Sequence, residues 1–212
     1  MADPFCSARL IYRAIQPDED EDFFLAIQQD QLGYRNSNLS ISIPQGRASA
    51  KGYVKRVTEN SMLGVVICLP AEETVDDKSK TKSSISAKPT PIGCIHLDDC
   101  RTNIAHHRFS DIGIDILPAY QGKGYGSEAI EWILEWAFVT AGLHRVGIQA
   151  FEYNDGAMRL YQRLGFKFEG AHKEMVWAQG RWWDDIHYGM LENDWRELQK
   201  QKKTGETGLP AR

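Results

Sequence analysis

Asp111–Thr140, DIGIDILPAYQGKGYGSEAIEWILEWAFVT, decides the fold of this 212-residue chain. Ile112, Ile114 and Ile116 alternate with Asp111, Gly113 and Asp115, the two-residue period of a strand. Pro118 ends it, because proline has no N–H to give to a ladder. A glycine-rich turn, Gln121-Gly-Lys-Gly-Tyr-Gly126, comes next. Ala129, Ile130, Ile133, Leu134, Ala137 and Phe138 then fall three to four apart on one helical face, and Gly142 supplies a stop.

The order strand, glycine turn, helix has a chemical meaning. The first turn of a helix exposes backbone N–H groups without partners and the positive end of the helix dipole, and glycines let a phosphate come close. The triphosphate loop Gly-x4-Gly-Lys-Ser/Thr is absent. The dinucleotide pattern Gly-x-Gly-x-x-Gly is not matched either, since Gly122, Gly124 and Gly126 are evenly spaced and lie past mid-chain. Taken alone, the turn is equally readable as a simple tight turn.

Three motifs in order carry a resemblance. Gln121-x-x-Gly124-x-Gly126 resembles the acyl-CoA pyrophosphate loop of the GNAT superfamily of N-acetyltransferases. Asn154-Asp-Gly-Ala-Met-Arg-Leu-Tyr161-Gln-Arg-Leu-Gly165-Phe166 is similar to that family's second signature helix. Gly180-Arg-Trp-Trp-Asp184-x3-Tyr188, with Asp194-Trp195, resembles the end of the branch that holds ribosomal-protein acetyltransferases and bacterial-type spermidine acetyltransferases. The motifs span Asp111–Trp195, and the order of elements extends the likeness back to Arg9. The fold this implies is α/β (α+β): a mixed, mostly antiparallel central sheet of six to seven strands with about four helices, splayed at the central strand.

Composition fits that size. With 42% hydrophobic and 25% charged residues the chain suits one domain, placed at residues 8–198. It has no apolar run of about 18 residues, so no membrane span is expected, and MADPFCSARLIY lacks a secretory pattern, which makes the cytoplasm the default. Cys6, Cys68, Cys94 and Cys100 show no Cys-x-x-Cys spacing and read as reduced thiols, with Cys68 and Cys94 inside strands. A net charge of −4 disfavours a nucleic-acid partner and leans mildly toward a cationic substrate.

Ala8–Ile15 reads as a first strand. The acids of Asp18–Asp22 fit the first turn of a helix continuing through Phe23, Phe24 and Ile27; the sharper reading is a cation-attracting rim. Gln31–Pro44 is polar and turn-prone and reads as a loop, which the resemblance makes an acceptor-specificity loop. Gln45–Asn60 carries Ala48, Tyr53, Val54 and Val57 on a helical stripe. Met62–Leu69 and Ile92–Leu97 read as buried strands, and residues 70–91 between them as a mobile insertion too poor in apolar groups to order. His106 and His107 lack a third ligand at a fixed spacing, so no metal is expected there. Arg145–Phe151 is a strand, and Phe166–Gly170 with Lys173–Ala178 is one long or broken strand turning at Gln179-Gly180 into Trp182–Leu191. The tail from Gln199 to Arg212 shows no apolar period and reads as disordered. Trp132 and Trp136 fit a helix covered on both sides or a homodimer contact.

The resemblance also implies chemistry. Acetyl-CoA is the expected cosubstrate and an amine the acceptor, with no metal. Backbone groups around Ile116 and Leu117 would hold the pantetheine and acetyl carbonyl, and amides from Gly122 through Lys123, Gly124 and Tyr125 to Gly126 the pyrophosphate, with the Lys123 side chain adding charge. Asn154 would cap its helix, touch the cofactor, or do both. Tyr161 matches the family's general acid, although Ala157, Leu160, Tyr161 and Leu164 share a helical face, as a core aromatic would. Asp111 is the candidate base, with Asp115 and Glu152 as rivals. A polyamine, another small amine or a protein N-terminus would fit as acceptor. The second reading is a catalytically silent acyl-CoA-binding module of the same fold.

Overall fold

The computed structural model describes residues 3–71, 88–99 and 102–205. Most of the predicted 70–91 insertion, Cys100 and residues 206–212 lie outside the described residues.

Among the described residues seven strands form one sheet in the order β1-β2-β3-β4-β5-β7-β6. They are β1 (Ile11–Ala14), β2 (Ser61–Leu69), β3 (Thr90–Asp98), β4 (Phe109–Ile116), β5 (Arg145–Phe151), β6 (Lys167–Ala178) and β7 (Arg181–Leu191). Every pairing is antiparallel except β4 with β5. Among the described residues six α-helices accompany them: α1 (Glu21–Gln29), α2 (Gln31–Ser37), α3 (Arg47–Glu59), α4 (Tyr125–Glu135), α5 (Asp155–Leu164) and α6 (Glu192–Thr204).

Two cores follow from strand alternation, which sends successive side chains to opposite faces. On one face Val66, Cys68 and Cys94 meet Phe24 and Ile27 of α1 and Tyr53, Val54 and Val57 of α3. On the other, Ile95, Leu97, Ile112, Val146, Ile148 and Tyr188 meet the apolar stripe of α4 together with Tyr161 and Trp195. The stripe continues into a π-helical turn, Trp136–Thr140, where the Ala141 amide reaches the Trp136 carbonyl at 2.9 Å.

Trp132 finds its cover within the chain. The Trp132 ring stacks on Tyr12 with centroids 3.7 Å apart, and its Nε1 donates to the Pro4 carbonyl at 2.9 Å. Trp136 packs against the same core. The N-terminal segment thus covers Trp132, while Trp136 stays half-buried.

The two helices beyond the expected four correct the sequence reading. Residues 31–37 form α2 rather than a loop, because the Asp30 carboxylate accepts the Leu32 amide at 3.2 Å as an N-cap and Tyr34 is buried. The Tyr153 hydroxyl also donates to the Arg35 carbonyl at 2.6 Å. Residues 199–204 belong to α6 rather than a disordered tail. That helix is anchored by Trp195 packing on Phe138, centroids 5.5 Å apart, and by charge pairs such as Lys202 with Glu131 at 2.7 Å, none of which needs an apolar period. The broken strand at 166–178 is a single β6, with register shifts at Phe168/Gly170 and His172/Val176.

Asp20, in the acidic run, is an internal anchor. It is 3% exposed, accepts Arg13 Nη2 at 2.6 Å and Nη1 at 2.8 Å, and takes the Gln16 amide at 2.8 Å. Burial alone would raise its carboxyl, but these bonds outweigh it and hold the group below its ordinary range. Glu21 and Asp22 pair with Arg47 and Glu19 with Lys88, so four of the five acids have a partner within the chain.

Candidate active site

The site begins where β4 and β5 stop pairing. Phe109–Asp111 lies beside Arg145–Gly147 in parallel register, and no further pair joins the two strands. Beyond it β4 is held by β3 and β5 by β7. The gap is a cleft of about 570 Å³ lined from both strands, from the glycine turn and from α5.

Along its β4 wall the backbone is sorted by alternation. The Leu117 amide bonds to the Ile92 carbonyl at 2.9 Å and the Leu117 carbonyl accepts the Tyr120 amide at 2.9 Å. The Leu117 N–H is thus spent on β3, while its carbonyl keeps a second lone pair at the cleft wall. Ile116, one residue earlier, turns its groups toward the parting. Its carbonyl accepts Gln121 Nε2 at 2.7 Å, which makes Gln121 a brace between turn and strand.

The turn itself has the form of an anion cradle. Gly122 and Gly124 sit at φ 71° and 83°, a left-handed conformation that costs an L side chain roughly 1–2 kcal/mol. Gly124 is the N-cap of α4, so the amides of Tyr125, Gly126 and Ser127 have no intrahelical carbonyl to bond. Lys123 does not reach outward: its Nζ donates to the Ala119 carbonyl at 2.8 Å and lies over the Tyr120 ring. Arg9 does come to the turn. It bonds the Lys123 carbonyl at 3.1 Å, lies 4.7 Å from the Tyr125 ring centroid and is fixed by Glu128 at 2.7 Å. Sequence spacing carries no signal of a cation 114 residues away.

Across the cleft, Asn154 caps α5 by accepting the Ala157 amide at 3.3 Å and also lines the opening. Tyr161 is 6% exposed, between Phe166 and Tyr188, and lines the cleft. No hydrogen bond to its hydroxyl occurs among the described residues. Burial raises its pKa well above the ordinary phenol value, and the Asp115 carboxylate adds to the rise.

The acids separate along β4. Asp111 stands at the paired end, where its carboxylate takes the space a side chain on Gly147 would fill. Partial burial raises its pKa, opposed by Arg145 and His187. Asp115, four residues or roughly 13 Å further along, lies inside the cleft and accepts the Tyr53 hydroxyl at 2.5 Å. Burial raises its pKa despite the hydrogen bond from Tyr53. Glu152 is spent on the Asp184 amide at 3.1 Å. Of the three acids, Asp115 is the one whose charge adds to the raised pKa of Tyr161.

His96 is a site residue the sequence did not reveal, because it sits within the apolar run of β3. It is 2% exposed and its ring lies over Gly113, where any side chain would collide with it. Desolvation lowers its pKa to about 3, so it is a neutral imidazole and its 3.5 Å approach to Asp98 is no ion pair.

A seven-stranded mixed sheet parted at one parallel pair, with a glycine turn capping the helix beside the parting, defines the GNAT-like fold class. The acetyltransferase (GNAT) domain family matches residues 9–167, and the chain belongs to that family. Among curated relatives, the uncharacterized N-acetyltransferase YnaD of Bacillus subtilis is 36% identical over 85 residues, 40% of this chain and 50% of that protein. Here the chain spans about half the length of the relative it matches. The spermidine N(1)-acetyltransferase of Escherichia coli is 24% identical over 139 residues, 65% of this chain and 72% of that protein. Among solved structures, the spermidine N-acetyltransferase of Vibrio cholerae, in complex with CoA and spermine, superposes with a TM-score of 0.69 at 20% identity, over 90% of this chain and 99% of that one. That likeness concerns the fold.

No helix among the described residues is long and apolar enough to cross a membrane.

Proposed function

We propose that this chain is an acetyl-CoA-dependent N-acetyltransferase whose acceptor is a small cationic primary amine of the polyamine class. The observation that carries the acceptor is the charge of the cleft wall. Asp30, Asp98, Asp111 and Asp115 line it, and among the described residues their cationic companions there are Arg56 and Arg163. A cationic amine is drawn to such a wall, and cleft charge focuses the attraction. The spermidine acetyltransferases among its relatives agree with this reading.

The residues present fit the cofactor. The first-turn amides of α4 and the left-handed turn at Gly122–Gly124 would hold a pyrophosphate, with Arg9 beside them. The Ile116 backbone would hold the pantetheine as an added strand. Acetyl-CoA, when bound, supplies an activated acetyl thioester. Tyr161, kept protonated by burial, holds a proton at its hydroxyl for a leaving sulfur. Asp115, with its raised pKa and a hydrogen bond from Tyr53, takes a proton from an entering ammonium group and so replaces Asp111 as the base this geometry favours. Transfer is direct, in a ternary complex.

Thiol release from acetyl-CoA, measured against polyamines, amino acids and N-terminal peptides, tests the proposal. Turnover on spermidine-like amines, with peptides inert, is the expected outcome. Calorimetric binding of acetyl-CoA without turnover on any amine would establish the silent module instead.

A further inference from the structure

Two residues of β7 and one of β6 converge on the sheet face that also carries Asp111. Asp185 and His187 are two apart on β7, so they project from the same side, and His172 is the cross-strand partner of Asp185. His187 in turn pairs with Gln149, a residue of the cleft wall. The chain departs from regular geometry immediately after His172. Three residues, Lys173–Met175, oppose Asp184 alone, with Glu174 at φ 50°. The Asp184 carboxylate pins this bulge by accepting the Glu174 amide at 3.0 Å and Lys173 Nζ at 2.5 Å. Bulges of this kind re-aim neighbouring side chains.

The three side chains present one ligand atom each toward a common point. His187 Nε2 lies 3.0 Å from Asp185 Oδ2 and 3.0 Å from His172 Nδ1, and His172 Nδ1 lies 3.7 Å from Asp185 Oδ2. Ligands at about 2.0–2.1 Å from a tetrahedral metal stand about 3.3 Å apart, so the triangle has the size a metal requires. Hydrogen bonding accounts for it poorly. A neutral imidazole has one N–H, so among three mutually facing acceptor atoms at most two contacts can be made well. Asp185 is 2% exposed, and its Oδ1 is buried with no hydrogen-bond partner among the described residues. A buried carboxylate that sets one oxygen, Oδ2, against two imidazoles is an arrangement that a cation satisfies.

We propose that His172, Asp185 and His187 form a binding site for one divalent transition-metal ion of the zinc type. Two nitrogens and one carboxylate oxygen suit zinc, cobalt or nickel better than magnesium or calcium, which prefer all-oxygen sets. His172 is exposed, so the fourth position opens to solvent beside the acceptor cleft. Local spacing hides such a site, since His172 and Asp185 are thirteen residues apart and meet only across strands. The adjacent pair His106 and His107 is the arrangement spacing does reveal; among the described residues it joins no cluster of three ligands.

The tag-free, full-length chain should bind one Zn²⁺ in equilibrium dialysis and, with Co²⁺ substituted, show the intense visible absorption of a four-coordinate centre. His172→Ala, an exposed position whose loss leaves the apo melting temperature unchanged, should weaken binding at least tenfold. His187→Ala should abolish the cobalt band. The double change His106→Ala with His107→Ala should leave stoichiometry and spectrum as they were. A chain that binds no metal at micromolar concentration, or one whose binding survives His172→Ala and His187→Ala and disappears with His106 and His107, overturns the proposal. Amine acetylation enters none of these readouts, so the site stands or falls separately from the proposed activity.

Discussion

The two ends of β4 carry the same residue in opposite circumstances. At the paired end, Asp111 stands at the edge of the cleft where the sheet is still closed, neighboured by Gly147 and by Arg145, itself paired with Glu169, and it remains exposed to water. At the parted end, Asp115 loses the neighbouring strand, enters a cleft and is roofed by Tyr53 of α3. Pairing spends backbone groups and turns side chains into surface; parting leaves the backbone for a ligand and gives a carboxylate a desolvated site. One strand thus holds a structural half and a chemical half. The boundary between them is Asp111.

The largest way to test that division lies across the parting. Tyr161→Phe removes one oxygen from a buried ring that makes no hydrogen bond within the described residues, so its melting temperature should stay near that of wild type. Thiol release should fall by about 10²–10⁴, the range of a lost general acid. Turnover equal to wild type across pH would take Tyr161 out of the mechanism.

Next in size is the direct contest between the two acids. Asp115→Asn should lower kcat by roughly 10²-fold, while Asp111→Asn should cost clearly less. The acidic limb of the pH–rate profile should also discriminate. A base with a pKa raised by burial gives activity that climbs with pH through that raised value, and Asp115→Asn should remove the limb. Tyr53→Phe should move it to higher pH, because the lost hydrogen bond favoured the ionised form. If Asp111→Asn proves the more damaging change, the sequence-derived base was right and the parted-end reading fails.

How far the chain was readable follows from the same strand. Alternation correctly divided Ile112, Ile114 and Ile116 from Asp111, Gly113 and Asp115, and that sufficed for the strand, the turn and the stripe of α4. A period of two names a face without saying what covers it. Alternation puts Asp111 and Asp115 on one face alike, and the preference for Asp111 comes from the family resemblance; Tyr53 of α3 bonds only Asp115. Helices with clear stripes, α3, α4 and α5, were legible in the same way. Helix α2 was not, since its support is one cap and one buried tyrosine amid glycine, asparagine and serine. Helix α6 was not, since Trp195 and charge pairs hold it. Arg9 at the turn, His96 over Gly113 and the His172–Asp185–His187 triangle are products of strand register, which no local spacing encodes.

A smaller effect is expected at the turn that serves the parted half. Gly124→Ala places a methyl group at φ 83° and within 3.2 Å of Arg9 Nη2. The strain of about 1–2 kcal/mol should appear as a lower melting temperature, by roughly 2–8 °C for a chain of this size. Its functional mark should be a higher KM for acetyl-CoA with kcat nearly kept, since the turn binds and does not react. A fall in kcat alone would place the turn nearer the chemistry than the parting allows.

The smallest expected effect runs opposite to the loss of activity. A buried carboxylate whose folded pKa is raised binds protons more readily in the native state than in the unfolded one, so stability declines as pH rises between the two values. Below the ordinary aspartate range the penalty is absent; above the raised pKa it is complete. Asn in place of Asp115 keeps an oxygen to accept the Tyr53 hydroxyl and removes the charge. Asp115→Asn should therefore be more stable than wild type at pH 7, by the ~0.5–2 kcal/mol commonly recovered when a functional strain is relieved, and the gain should vanish in acid. Asp111→Asn should show less of this, because water and Arg145 already relieve its charge. Urea unfolding of both variants at pH 7 and near pH 3 measures the difference. If Asp115→Asn is the less stable protein at pH 7, its carboxylate is serving the fold, and the parted end of β4 is structural after all.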